Sequence, residues 1–115
     1  MAHAEYDFQA LVDAYSDSPD ILGEILSIFA EETPERLASL KAAAAAKDFA
    51  TVRKVAHGLA NTTGTLKADQ ALRIAREIET EAREEKSESL EALVRHLESE
   101  IETVLSQISA YRGGE

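Results

Sequence analysis

The segment VAHGLANTTGTLKA, residues 55–68, decides the fold, because it places one histidine on the outer side of an amphipathic helix. We predict a helix from Phe49 to Gly64 with Asp48 as its N-cap, since aspartate commonly caps helix N-termini. At about 100° per residue, its apolar residues share one face, which is the core face: Val52, Val55, Ala56 and Leu59. His57 then points roughly 150° away from the centre of that face. A nucleophile that another protein must approach would occupy such a position.

The neighbours of His57 on this helix are mostly small or basic: Arg53, Lys54, Ala60, Asn61 and Gly64. With Lys67, the two basic neighbours form a local positive cluster in a chain whose net charge is −10. A surface histidine without any role would look similar in isolation. The pattern on both sides of His57 therefore carries the interpretation.

That pattern resembles the phosphoacceptor motif of histidine-containing phosphotransfer (HPt) domains, which belong to two-component phosphorelays. The family motif is approximately Ala-His-x-Leu-Lys-Gly-Ser-x-x-x-x-Gly-Ala, and the chain is similar to it at Ala56, His57, Leu59, Thr62, Gly64, Leu66 and Ala68. The segments Ile28–His57 and Leu72–Glu79 also look like helices of that family. The resemblance thus covers most of the chain.

The resemblance implies that His57 is the phosphoacceptor and that Glu79 hydrogen-bonds its Nδ1 and orients the ring. The reaction needs a neutral imidazole with a free Nε2 lone pair, which histidine offers near neutral pH. Glu79 has a plainer alternative, which is a solvated acid among its neighbours Glu77, Glu81 and Glu84. In such relays the partner receiver domain supplies the aspartyl phosphate and the magnesium. No cofactor or metal is therefore expected on this chain, which would contribute the imidazole, a hydrophobic docking rim and one cation.

The chain departs from the family pattern at Ala60, Asn61 and Lys67, where the family usually has Lys, Gly and Gly. The missing lysine removes a cation that would steady phosphoryl oxygens. Candidates to replace it are Lys54 and Lys67, with Arg53 as a further one. We also predict a partner-docking surface, on which Gly64 clears the approach to His57: Arg53, Ala60, Asn61 and Gly64.

The remaining sequence predicts an all-α fold, since helix formers dominate and Gly and Pro are few. We predict one domain over residues 1–115, an antiparallel four-helix bundle in up-down-up-down order with a short additional N-terminal helix. The last helix carries an apolar seam that a lone coiled coil would also show: Leu90, Val94, Leu97, Ile101, Val104, Ile108 and Tyr111. Residues 1–5 are expected to be a frayed start, and residues 113–115 a loose end.

Composition excludes several classes of function. The net charge of −10 argues against nucleic acid and against anionic membrane surfaces as partners. The absence of cysteine excludes disulfides and thiolate zinc sites. Without an apolar run of about 20 residues or a signal-peptide pattern, we expect a cytoplasmic chain. A monomer is expected because no second apolar face is evident.

The sequence therefore predicts a phosphocarrier rather than an autonomous enzyme, relaying a phosphoryl group between receiver aspartates. Its expected partners are response-regulator receiver domains and a hybrid sensor histidine kinase. The alternative is a phosphotransfer-incompetent adaptor that docks a receiver or kinase, favoured by Ala60, Asn61 and Lys67. A third possibility is that the chain is a piece of a larger sensor kinase.

Overall fold

The computed structural model describes residues 6–113, which form five helices: α1 (Phe8–Ala14), α2 (Pro19–Ala45), α3 (Phe49–Thr65), α4 (Asp69–Arg83) and α5 (Leu90–Gly113). The predicted all-α class is confirmed. The expected frayed start, residues 1–5, and residues 114–115 of the expected loose end lie outside the described part. Gly113 was also predicted to belong to that loose end, and this was wrong, because α5 extends through it.

The four long helices share one core. Helix α2 packs on α3 and α5, α4 packs on α3 and α5, and the α3–α4 contact is the most extensive. Each helix buries the apolar positions of one face, including Leu26, Leu40, Leu59, Ile78 and Ile101, all fully buried. Burial of one such side chain contributes about 1.5–3 kcal/mol, so this shared core fixes α3 and α4 relative to each other.

The apolar seam of α5 is buried except at its last position. Tyr111 was predicted to point inward, but it is half exposed. Its ring instead meets the edge of Phe8 at 5.2 Å between centroids. This aromatic contact attaches the short helix α1 to the long helix α5.

Helix α3 begins as predicted. Asp48 is its N-cap, and its side chain accepts a hydrogen bond from the backbone N–H of Thr51 at 3.3 Å. The hydroxyl of Thr51 also donates to Asp48 at 2.7 Å. These bonds satisfy part of the otherwise unpaired helix start and fix the residue at which the His57 helix begins.

Helices α2, α3 and α4 end in the same way, each with a non-glycine residue in the left-handed conformation. Lys47, Lys67 and Glu85 have φ of 57°, 58° and 56°. After α3, the N–H of Lys67 bonds to the carbonyl of Gly64 and the N–H of Ala68 to that of Thr63. Such pairs of bonds normally close around glycine. Position 67 therefore needs a left-handed residue, which is a backbone reason for the glycine that the HPt motif has there.

Lys67→Gly is expected to raise the free energy of unfolding by about 1 kcal/mol, because glycine adopts positive φ without a Cβ penalty. Chemical denaturation of wild type and variant measures this change. Lys67→Ala is the control, since it removes the same charge but keeps the Cβ, and its stability should match wild type. Equal stability of the glycine variant and wild type would contradict the backbone interpretation.

Tyr6 ties the N-terminal segment to the turn between α3 and α4. Its hydroxyl donates to the carbonyl of Leu66 at 2.7 Å. Burial, and secondarily the charge of Asp7, raises the pKa of Tyr6 to about 12 from the ordinary 10.0. The protonated hydroxyl is thus the form that the folded state favours.

The stability that Tyr6 adds should be complete below pH 10 and disappear as pH rises toward about 12, because the unfolded tyrosine ionises first. Tyr6→Phe should be less stable than wild type by about 1 kcal/mol at neutral pH. Urea unfolding of both proteins across this range measures their difference. A difference that stays constant up to pH 12 would show that the Tyr6 hydroxyl is not linked to folding.

Candidate functional site

The centre of the site is a hydrogen bond between α3 and α4. Nδ1 of His57 lies 2.9 Å from Oε2 of Glu79, a residue that follows it by 22 positions. The imidazole is exposed, with 60% of its side-chain surface accessible, whereas the Glu79 side chain is only 15% accessible. The contact that the resemblance implied is therefore present, with the acid set back between the helices and the ring facing solvent.

This contact determines which nitrogen of His57 is free. An ionised carboxylate can only accept hydrogen bonds, so Nδ1 must carry the proton that it shares with Glu79. In the neutral ring the lone pair then resides on Nε2. No residue of the described chain hydrogen-bonds Nε2. The arrangement presents an oriented nitrogen nucleophile to an approaching molecule.

The close packing of α3 on α4 makes the contact possible. Near the turn between the helices, Gly64 faces Leu72, and a Cβ added to Gly64 would lie 3.7 Å from Leu72 Cδ2. Farther from that turn, His57 faces Glu79. The two helices therefore run antiparallel, and residues before His57 lie beside residues after Glu79.

Arg83 extends the site on α4 and was not predicted from the sequence. Its Nη2 lies 4.0 Å from Oε2 of Glu79, one helical turn along, and its side chain is 56% accessible. A Glu and an Arg four residues apart are a recognised helix pair, but α4 carries other charged residues at helical pair spacings, which is typical of a solvated face. Only the contact between Glu79 and His57 shows which of these pairs matters.

His96 offers an internal comparison, because it is as exposed as His57 and also lies near an acid. Its Nε2 lies 3.8 Å from Glu100 on the same helix, and its side chain is 59% accessible. Here the nearby acid faces Nε2, at a distance longer than a hydrogen bond. His57 and His96 are thus both exposed and both lie near a carboxylate. Of the two, His57 has the short hydrogen bond from Nδ1 to an acid on a second helix.

Three of the predicted neighbours are exposed on α3 near His57: Arg53, Lys54 and Asn61. Asn61 lies one turn after the histidine, and the two basic residues lie one turn before it. Within residues 6–113, no ion pair joins either basic side chain to Glu79. Their assignment as phosphoryl-stabilising or docking groups stays a prediction.

Two predicted site residues do not lie where they were expected. Ala60 is 1% exposed and belongs to the core, so its assignment to a docking surface was wrong. Its helical position turns it from the His57 side toward the packed interior. Lys67 lies beyond the end of α3, about 15 Å of helix rise from His57. It lines a separate cavity with Tyr6, Asp69 and Glu100, so its prediction as a cation at His57 was also wrong.

Gly64 lies two turns after His57 and belongs to the contact with α4. An added Cβ would meet Leu72 at an ordinary van der Waals distance. Its small size is therefore not required by the packing within the chain. Its proposed part in admitting a partner stays a prediction.

An apolar groove between α2 and α3 was also missed. It has a volume of about 190 Å³, and Ile25, Ile28 and Leu66 are among its lining residues. Ile28 and the nearby Ile21 are each about half exposed. Both side chains belong to α2 and lie outside its buried face.

The described residues hold no group of three or more His, Asp or Glu side chains that could bind a metal ion. Among the same residues, no helix has the length and apolar character needed to span a membrane.

Replacing Glu79 should change the proton position on His57. In wild type, ¹⁵N NMR at mildly alkaline pH should show the Nδ1–H tautomer as the main form. Glu79→Ala should yield a mixture of tautomers, because it removes the acceptor for Nδ1–H. Glu79→Gln is the matched control, since its side-chain oxygen still accepts. An unchanged tautomer in Glu79→Ala would mean that the hydrogen bond to Glu79 does not determine which nitrogen of His57 carries the proton.

The chain matches a protein-family model. The model described as the Hpt domain matches residues 24–110, which contain the whole of α3 and α4 with His57 and Glu79. Comparison with curated proteins and with solved structures found no match. Because residues 24–110 are more than half of this chain, the chain belongs to the Hpt domain family.

Proposed function

We propose that this chain is a histidine phosphocarrier that accepts a phosphoryl group on Nε2 of His57 from a receiver aspartate and passes it to another receiver. The hydrogen bond between Glu79 and Nδ1 supports this proposal most directly, because it frees Nε2 toward solvent. Family membership supports the general role, since Hpt domains are carriers in phosphorelays rather than catalysts. Response-regulator receivers and a hybrid sensor kinase are the proposed partners.

The transfer step exchanges one bond to phosphorus for another. The Nε2 lone pair attacks phosphorus, the bond to the aspartate oxygen breaks, and its electron pair stays on the departing carboxylate. Phosphorylation leaves the proton on Nδ1 and makes the ring cationic. The reverse sequence of bond changes delivers the phosphoryl group to the next aspartate. Magnesium belongs to the receiver in this scheme, and the carrier provides position and charge.

Glu79 would serve the step in two ways. It holds the ring at a fixed rotation, so that Nε2 points out of the helix pair. Its negative charge also stabilises the positive charge that develops on the imidazole during attack, as a buried acid does behind a catalytic histidine. Because the Glu79 side chain is largely shielded, this interaction is less weakened by solvent than a surface ion pair.

The receiver would dock on the exposed side of α3 and extend toward α2. Arg53, Lys54 and Asn61 surround the nucleophile there. The groove beside Ile28, between α2 and α3, offers apolar contact area to the same partner. Small exposed apolar areas flanked by polar groups are typical of transient interfaces.

We also propose the antiparallel four-helix bundle in up-down-up-down order. The short turns 46–48 and 66–68 favour antiparallel neighbours. Lys41 pairs with Glu98 at 3.1 Å, and the earlier residue Ala30 lines one cavity with the later residue Ser109, which supports α2 and α5 as antiparallel partners. The cytoplasmic location, the monomeric state and the assignment of residues 1–115 to one domain stay predictions.

The adaptor alternative keeps one observation in its favour. Position 60, where the family usually has lysine, is a buried alanine, so that cation is missing. An adaptor would bind a receiver without forming phosphohistidine.

His57→Gln should abolish labelling from a radiolabelled, magnesium-loaded receiver phosphate, while helicity and melting stay unchanged because the side chain is exposed. His96→Gln is the matched control and should be labelled like wild type. The label should be lost in acid and retained in alkali. Persistent labelling of His57→Gln would refute the assignment, and binding of receivers without any label on wild type would favour the adaptor.

A further inference from the structure

We infer that Arg83 supplies the cation for the phosphoryl group on His57 that the family usually takes from position 60. The inference rests on the proposed function and adds a residue from α4 to it. In the unphosphorylated chain, the guanidinium of Arg83 lies beside the carboxylate of Glu79. After phosphorylation its guanidinium contacts the phosphoryl oxygens on Nε2.

The geometry places Arg83 within reach of the reacting atoms. Its Nη2 lies 4.0 Å from the same carboxylate oxygen that bonds Nδ1 of His57 at 2.9 Å. The guanidinium of Arg83 and the imidazole of His57 thus face the same carboxylate oxygen. Because an arginine side chain has several rotatable bonds and this one is more than half exposed, it is free to change rotamer, and the inference requires a rotamer that carries the guanidinium past Glu79 to the outer face of the ring.

Arg83 also has donors to spare. A distance of 4.0 Å is longer than a hydrogen bond, so Glu79 attracts the guanidinium without engaging it. In the described part of the chain, Arg83 makes no side-chain hydrogen bond and no other ion pair. A planar guanidinium with five N–H groups suits two phosphoryl oxygens at once.

The other candidate cations do not share the Glu79 carboxylate with His57. Lys67 is beyond the end of α3 and lines another cavity. Arg53 and Lys54 lie on the same helix as His57 without a contact to Glu79 within residues 6–113. Since α3 and α4 are antiparallel, Arg83 approaches His57 from the side opposite to position 60. Arg83 would therefore contact the phosphoryl group on the side of His57 that faces the N-terminal end of α3.

The test uses phosphoramidate, which phosphorylates histidine without a receiver. The P–N bond of phosphoramidate breaks, the bond from Nε2 to phosphorus forms, and ammonia leaves. At fixed phosphoramidate and ammonia concentrations, the ³¹P signal of phospho-His57, identified by its loss in His57→Gln, gives an equilibrium constant. Arg83→Gln should lower this equilibrium constant by about tenfold, which corresponds to the free energy of one charge-assisted hydrogen bond. Arg83→Lys should keep most of the wild-type equilibrium constant. Added salt should reduce the difference in this constant between wild type and Arg83→Gln.

Arg73→Gln is the matched control, because Arg73 is exposed on the same helix and pairs with Gln70 far from Glu79. It should leave the equilibrium constant unchanged. The His57 tautomer of each unphosphorylated variant, from ¹⁵N NMR, separates contact with phosphate from support of Glu79. A lower equilibrium constant in Arg83→Gln with an unchanged tautomer supports the inference. An unchanged constant, or a change accompanied by loss of the Nδ1–H form, overturns it. Failure of receivers to label wild type would instead count against the relay function, since this assay contains no receiver.

Discussion

The hydrogen bond between Nδ1 of His57 and Glu79 is the interaction on which the site depends. It joins two helices, fixes the ring, places the proton and leaves Nε2 to solvent. Each of these effects follows from one property of a carboxylate, which accepts but does not donate. His96, equally exposed and near Glu100, lacks this arrangement. A histidine becomes a directed nucleophile here because a second helix holds its other nitrogen.

The fold supports that bond through the α3–α4 hairpin. The short turn at 66–68 makes the helices antiparallel, and their shared core holds them at one register. The N-cap at Asp48 and the left-handed Lys67 set where α3 begins and ends. A shift of one residue along α3 would turn His57 by about 100° and break its contact with Glu79. The site thus depends on helix ends several turns away from it.

Helical periodicity, which is a local pattern, predicted the helices, whereas the His57–Glu79 pair was implied by the resemblance to the HPt family, since it spans 22 residues and two helices. The sequence did not predict the burial of Ala60, which depends on how the neighbouring helices cover α3. Lys67 belongs to the basic cluster in the sequence, but ten residues of chain along the α3 axis separate it from His57. The left-handed backbone of Lys67 depends on the bonds that close the turn. Arg83 was missed because several charged residues on α4 are spaced alike, and only a contact between helices distinguishes one of them.

The account gives each nitrogen of His57 a separate task, so the most direct measurement is the site of phosphorylation on the ring. Long-range ¹H–¹⁵N NMR of the phosphorylated, ¹⁵N-labelled chain assigns the phosphate to one nitrogen. The account predicts phosphate on Nε2 with the proton on Nδ1. Phosphate on Nδ1, or on a residue other than His57, would contradict it.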